Sequence, residues 1–366
     1  MSGGILVVVG IIVIVMVHEA SHFLAARATG MKATEFFFGF GPRLWSTRRG
    51  DTEYGIKALP FGGYVRITGM NPLEEVAPED EGRTYRDKPF WAKSLTVLAG
   101  SASHFPLAFL LFYLVHSAVG LPVATTTVHS VQATLGSGAP TPAAAAGLLP
   151  GDTVISLAGV PTPEWEDLVD AITSRPGEAV VLGVEREGRA LTLQLTLAAV
   201  DDGEGGKRGY LGIAPGSRNE RAGPVAGLGR AGSAVGEAVV ASGRGLWELI
   251  TGAPRLVAAV FGGNAEDVGD NRPVSPVGLV GIAGDLGPAF ALQLVAYVAV
   301  FAGVMNAVPL YPLDGGHFAV ALYEKLRGRR ADVRKLMPVA AAVISFLVLI
   351  GLLGIYLDIF HPINLG

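Results

Sequence analysis

The sequence predicts a membrane protein: an α-helical bundle of four transmembrane helices, a cytoplasmic β-hairpin or sheet region, and one inserted extracytoplasmic α+β domain. Three observations carry this expectation. Half of the 366 residues are apolar and only 16% are charged, with a mean hydropathy of +0.45, outside the range of ordinary soluble domains. The apolar residues gather into four runs, each near the ~20 residues that a bilayer-crossing helix requires. Between the second and third runs lies a stretch of short strand-like segments. The formal net charge of −4 supplies no basic field for phosphates, which excludes a nucleic-acid partner. Cysteine is absent, which removes disulfide frameworks, thiolate zinc sites and cysteine nucleophiles.

The first run, Ile5 to Ala28, is interrupted by His18, Glu19, Ser21, His22 and Arg27, and residues 1–30 are read as transmembrane helix 1. It is not a signal peptide: no basic residue precedes it and a polar cluster breaks its apolar core. Residues 31–93 form a membrane-associated β region, with strands expected over Arg43 to Thr47, Thr52 to Ala58 and Gly63 to Ile67 around an Arg49-Gly50-Asp51 turn signal. The run Phe36-Phe37-Phe38 is expected at the membrane interface. Residues 94–120 are the second span, carrying Ser101, Ser103, His104 and Pro106. Residues 201–289 read as a Gly and acid-rich linker through Gly209, then an amphipathic helical stretch from Val225 to Phe261, interrupted by glycines and Pro254. The third span covers 290–313, a cytoplasmic basic loop 314–336, and the fourth span 337–360.

Basic residues set the expected orientation. Ten lie between Met31 and Lys93 and six between Pro312 and Met337, so both connections face the cytoplasm. The stretch between spans two and three holds eleven over a much greater length, and long domains translocate largely regardless of charge. It faces outward, as do both chain ends. Within it, residues 125–200 carry strand-like runs (Thr126 to Val131, Val154 to Leu157, Val180 to Glu185, Leu191 to Leu197) and a helical segment, Glu164 to Thr173. The order Ala146-Gly147-Leu148-Leu149-Pro150-Gly151-Asp152-Thr153-Val154-Ile155, followed by Gly159 and a helix around Trp165 and Leu168, resembles a PDZ domain. Such a domain implies a peptide ligand laid against a sheet edge.

The chemistry concentrates in the first span. His18-Glu19-Ala20-Ser21-His22 is H-E-x-x-H, which on a helix puts two imidazoles on one face, where both reach a single Zn²⁺. Ionisable side chains at this depth cost several kcal/mol unless compensated, which marks the cluster as functional. His18 lies roughly 20 Å along the helix from Ile5, below the membrane surface on the cytoplasmic side. Catalytic zinc needs a third ligand, and His104, Asp314 and His317 lie at matching depth. Asp314 is favoured, because Gly315 and Gly316 let the backbone turn after it and a carboxylate offsets the charge of the ion. His317 reads instead as an interfacial histidine.

His18 to His22, together with Asn306-Ala307-Val308-Pro309-Leu310-Tyr311-Pro312-Leu313-Asp314-Gly315-Gly316-His317, resemble the site-2 protease family of intramembrane zinc metalloproteases. The single PDZ-like insertion points to the bacterial regulator of sigma-E protease type. Further matches are Phe40-Gly41-Pro42, Leu59 to Val65, Phe90 and Ser275-Pro276-Val277-Gly278. In one place the chain departs from the family: a second-span stretch usually read A-G-P-x-x-N-F is here Ala99-Gly100-Ser101-Ala102-Ser103-His104-Phe105, with His104 in place of Asn.

The resemblance implies a multi-pass plasma-membrane protease that cuts single-span membrane proteins, such as anti-sigma factors already trimmed outside, with its active site on the cytoplasmic side. It implies Zn²⁺ on His18, His22 and Asp314, Glu19 as base and Asn306 as a donor to substrate. A sheet edge at Gly63, Tyr64 and Val65 is expected to pair with the unwound substrate, whose own backbone bonds are lost in lipid. A non-proteolytic zinc-binding scaffold or transporter is the alternative. It needs the same ligands but not Glu19.

Overall fold

The computed structural model describes residues 2–71, 74–202, 205–262 and 272–362. Along the chain run α1 (Ser2–Ala28), β1 (Ala33–Arg49), β2 (Thr52–Ile67), α2 (Phe90–Leu114), β3 (Leu121–Val131), α3 (Pro142–Ala145), β4 (Thr153–Leu157), β5 (Val160–Pro161), α4 (Trp165–Thr173), β6 (Ala179–Arg186), β7 (Arg189–Thr196), β8 (Ala198–Asp201), β9 (Lys207–Tyr210), β10 (Ile213–Glu220), α5 (Pro224–Phe261), α6 (Pro276–Leu286), α7 (Pro288–Ala307), α8 (Asp314–Arg327) and α9 (Met337–Phe360). They form two compact units, one of Met1–Val119 with Ala222–Gly366 and one of Gly120–Arg221.

In the first unit, four described helices are long and apolar enough to cross a membrane: Ser2–Ala28, Phe90–Val119, Pro288–Ala307 and Arg334–Phe360. The chain is a multi-pass membrane protein with a β region. Small residues let α1, α2 and α7 approach closely, as membrane helices require in the absence of a hydrophobic drive between them: Ala108, Ala291, Ala296 and Ala299 are buried in their common core. At Gly303 a Cβ would stand only 3.0 Å from His104 Cβ and 3.2 Å from the Ser101 carbonyl oxygen. Glycine there brings α7 against the polar part of α2.

The strands of the β region are longer than the segments expected from the sequence. Ala33–Arg49 and Thr52–Ile67 pair antiparallel through the Gly50-Asp51 turn, Arg49 opposite Thr52. Each strand then folds over, so that Phe36 has two partners, Tyr54 on one side and Val65 on the other. Gly39, Gly41 and Gly62 sit at the folds with φ of 86°, 82° and 96°, a region that strains any residue with a Cβ. The consequence is that Gly63 to Ile67 lies at an outer edge. Phe37, expected at the membrane interface, is instead 2% exposed and stacks on Tyr64 at 5.8 Å. Phe36 meets Phe23 of α1 at 5.4 Å, which lays the sheet against the helix that carries the H-E-x-x-H motif.

Three other boundaries differ from expectation. The third span stops at Ala307, not Leu313, and Asp314 opens a new helix where a basic loop was expected. Asp314 in its first turn, Lys325 and Arg327 in its last and Gly328 as a left-handed cap are the signals for that helix. It is tied to α2 by Lys93 and Glu324 at 2.8 Å. Val225 to Phe261, read as an interrupted stretch, belongs to one continuous 38-residue helix that contains Pro254. The linker read over Asp201 to Gly209 overlaps the paired strands β8 and β9, and the Asp202 carboxylate accepts the Gly206 N–H at 2.8 Å. Of the 201–289 region, residues 203–204 and 263–271 lie outside the described residues.

The second unit is wider than the 125–200 segment. Its sheet runs β10-β3-β4-β6-β7, with β5 beside β4. Alternation in β6 and a register irregularity in β4 between Val154 and Ser156 turn Val154, Leu157, Leu182 and Val184 into one core with Leu168 and Ile172 of α4. Glu164 and Asp167 cap α4 reciprocally. Asp152, 1% exposed, is held at 2.7 Å by Arg186 of β6 and accepts from the Leu149 N–H at 2.8 Å. The guanidinium keeps its carboxyl below the usual carboxylate range.

Candidate metal centre

The last third of α1 exposes His18 and His22 on one side, four residues apart and so nearly in register. Ser21 between them is satisfied locally, donating to the Val17 carbonyl at 2.7 Å. The imidazoles reach the amino end of α8, which is brought there by the short return after α7. Glycine is needed in that return for close approach, not for unusual torsions, since neither Gly315 nor Gly316 has a positive φ. A Cβ on Gly315 would meet the Val308 carbonyl oxygen at 2.5 Å, and one on Gly316 the Leu310 carbonyl carbon at 2.5 Å.

His18, His22 and Asp314 thereby converge, each offering one ligand atom within 4.8 Å of the others. His18 Nε2 and His22 Nε2 are 3.1 Å apart. Asp314 Oδ2 is 3.6 Å from His18 Nε2 and Asp314 Oδ1 is 3.4 Å from His22 Nε2. Three donors around a tetrahedral zinc at 2.0–2.1 Å stand about 3.3 Å from one another. The observed spacings, measured to one carboxylate oxygen from each histidine, lie around that value, so these residues could hold such an ion; three protein ligands of these types are what a catalytic zinc takes, beside water or substrate.

The outer partners agree with this use. His22 Nδ1 donates to the Thr96 carbonyl at 2.8 Å, an atom that can only accept, which in the neutral ring leaves the Nε2 lone pair for a metal. Ser101 Oγ donates to Asp314 Oδ2 at 2.8 Å. His18 Nδ1 lies 3.0 Å from His104 Nε2. Thr96, Gly100 and Ser101 are functional neighbours that sequence reasoning did not name as such. The signals that point to them are the Ala99 to Phe105 stretch, which contains Gly100 and Ser101, and the four-residue spacing that puts Thr96 on one helical face with Gly100.

Glu19 is not one of the converging ligands. Its Oε2 accepts the Val65 N–H at 3.0 Å, so the outer edge of β2 holds it. Of the three residues expected at that edge, Gly63 is opposite Phe38, Tyr64 opposite Phe37 and Val65 opposite Phe36. Gly63 packs beside the motif, where a Cβ would lie 3.6 Å from Glu19 Cγ. Asn306 is half-buried in the last turn of α7, and among the described residues its amide makes no hydrogen bond. His317 stands outside the ligand cluster, its ring 4.8 Å from that of Tyr311.

Residues 6–352 match the family model described as peptidase family M50. Zinc metalloprotease Rip1 of Mycobacterium tuberculosis (strain H37Rv) is 31% identical over 407 residues, an alignment that covers 100% of this chain and 98% of that protein. Zinc metalloprotease Rip1 of Mycolicibacterium smegmatis is 31% identical over 404 residues, covering 99% and 98%.

Proposed function

This chain belongs to peptidase family M50 and is a zinc metalloprotease; from that premise we propose that it hydrolyses single-span membrane proteins within or near the bilayer. The observation that carries the reading is the meeting of His18, His22 and Asp314 from two distant elements, beside a glutamate held by an edge strand. The three side chains would hold Zn²⁺, which when bound would supply Lewis-acid chemistry to the substrate carbonyl and to the attacking water. Glu19, one oxygen fixed by Val65 and Oε1 without a hydrogen bond among the described residues, takes the proton of the attacking water and returns it to the leaving amine. Ser101 orients Asp314 through one of its carboxylate oxygens. The unengaged Asn306 amide donates to the substrate backbone or to the developing oxyanion. By resemblance, anti-sigma factors already trimmed on the outer side are the substrates. The Lys- and Arg-rich connections support a site on the cytoplasmic side of a bacterial plasma membrane, with residues 125–200 and both termini outside. The helix and edge strands of the second unit support a PDZ-like, peptide-accepting role.

Purified protein reconstituted in liposomes is expected to cut a single-span reporter, to lose roughly 10²-fold or more of that activity on removal of zinc by a chelator, and to regain it when zinc is restored. Undiminished cleavage by metal-free protein would remove this reading.

Unwinding the substrate leaves its peptide groups unpaired in lipid, and the Gly63 to Ile67 edge offers them partners by strand addition. Proline at Val65 would not isolate this effect, because it also takes away the donor to Glu19. Since the chain has no cysteine, single cysteines introduced at Tyr64 or Arg66 give unambiguous disulfide trapping against a cysteine walked along the substrate. Strand addition predicts trapping at every second substrate position. Equal trapping at every position, or trapping at a helical spacing, would sink the idea.

A further inference from the structure

His104 is a buried imidazole beside the ligands that the reading above does not use. It is 2% exposed, on α2 one turn beyond Gly100. Its Nε2 faces His18 Nδ1 at 3.0 Å, with ring centroids 5.1 Å apart and planes tilted by 36°. Its Nδ1 is buried with no partner among the described residues. The two zinc-facing histidines are therefore held by different kinds of group. The Thr96 carbonyl beside His22 can only accept. An imidazole can accept or donate, so the tautomer of His18 depends on what occupies position 104.

We propose that His104 is a positioning residue for His18: it accepts the hydrogen bond from Nδ1–H, fixing the ring plane and presenting the Nε2 lone pair to the zinc. This rests on the metal site argued above and deepens it. The reverse arrangement, in which His104 Nε2–H donates, would put the His18 proton on Nε2. That atom faces His22 Nε2 at 3.1 Å and Asp314 Oδ2 at 3.6 Å, and a proton there blocks the coordination position. In the metal-holding arrangement the remaining proton of His104 sits on Nδ1, which has no partner among the described residues; that buried unpaired N–H is a cost, offset by leaving Nε2 able to accept from His18.

Zinc affinity by chelator competition separates this role from packing. Glutamine places its amide oxygen near where Nε2 stands and can accept, whereas phenylalanine fills the ring volume and cannot. His104→Phe and His104→Ala are each expected to weaken zinc binding by roughly 10–100-fold, the usual effect of losing a ligand's outer partner. His104→Gln should stay within about threefold of wild type. Packing alone gives the opposite order, with Phe tolerated and Gln not, and that order would overturn the proposal, as would wild-type affinity in the Phe and Ala variants.

A second readout needs no variant and so is immune to misfolding. In zinc-loaded wild-type protein labelled with nitrogen-15 histidine, His104 Nε2 is expected to resonate as an unprotonated ring nitrogen that accepts a hydrogen bond and His104 Nδ1 as a protonated one, and a protonated His104 Nε2 would overturn the assignment. Wild-type protein that takes up no zinc would fail differently, removing the metal site itself.

Discussion

Glu19→Gln is expected to keep about one zinc per chain and to lower cleavage of a single-span reporter by roughly 10²–10⁴-fold, the range that positioned general bases contribute. The substitution is close to isosteric, and the amide oxygen of glutamine still accepts the Val65 N–H that holds Glu19 Oε2 at 3.0 Å. The three converging ligand atoms belong to His18, His22 and Asp314, so nothing in their set changes. What is lost is the capacity of the second oxygen to take a proton. Zinc content by elemental analysis and single-turnover cleavage on the same preparation read the two effects separately. Retained cleavage would transfer the base role to another group. Loss of zinc would mean that Glu19 supports the metal as well as the water. A zinc scaffold or transporter has no use for a base at this position, so the variant also separates those classes.

Much of this site was legible because its chemistry is costly. Two histidines and a glutamate inside an apolar run stand out by composition, and their spacing fixes a shared helical face without knowledge of the rest of the fold. Asp314 was reachable through the glycines that follow it, although their physical role proved to be close backbone approach and not turning freedom. The span boundary at Ala307 and the helix from Asp314 were not legible, since Pro309 and Pro312 read equally well as a compromised span end or as a return between helices. The folded-over sheet was missed for a different reason. Its second set of pairings places Phe36 between Tyr54 and Val65, and such double pairing depends on tertiary register that a two-residue periodicity does not encode. What Thr96, Ser101 and His104 hold was not legible, since it depends on the packing of α2 against α1 for Thr96 and His104 and against α8 for Ser101.

Gly100→Ala is expected to abolish tight zinc binding while leaving α2 intact, and the two halves of that expectation have opposite signs. In a helix interior alanine is favoured over glycine by about 0.8–1.0 kcal/mol, so the substitution by itself strengthens the span. Yet a Cβ at position 100 would overlap His22 Nε2 and stand 2.8 Å from His18 Cε1. Neither ring is free to withdraw: His22 is held by the Thr96 carbonyl and His18 by His104, both on the same helix as the intruding methyl. Relief therefore requires α1 and α2 to separate or the imidazoles to abandon their hydrogen bonds, at a cost of about 1–3 kcal/mol for overpacking alone. The ligand spacings of 3.1–3.6 Å do not survive either movement, since a shift of a few tenths of an ångström in one donor already departs from zinc geometry. Zinc titration beside thermal unfolding of the metal-free protein distinguishes the effects. Zinc affinity should fall by at least roughly 10–100-fold with no loss of metal-free stability beyond the overpacking range. Wild-type affinity in Gly100→Ala would mean that α2 does not press on the imidazoles in the working enzyme, and the outer partners assigned to both histidines would fall with it.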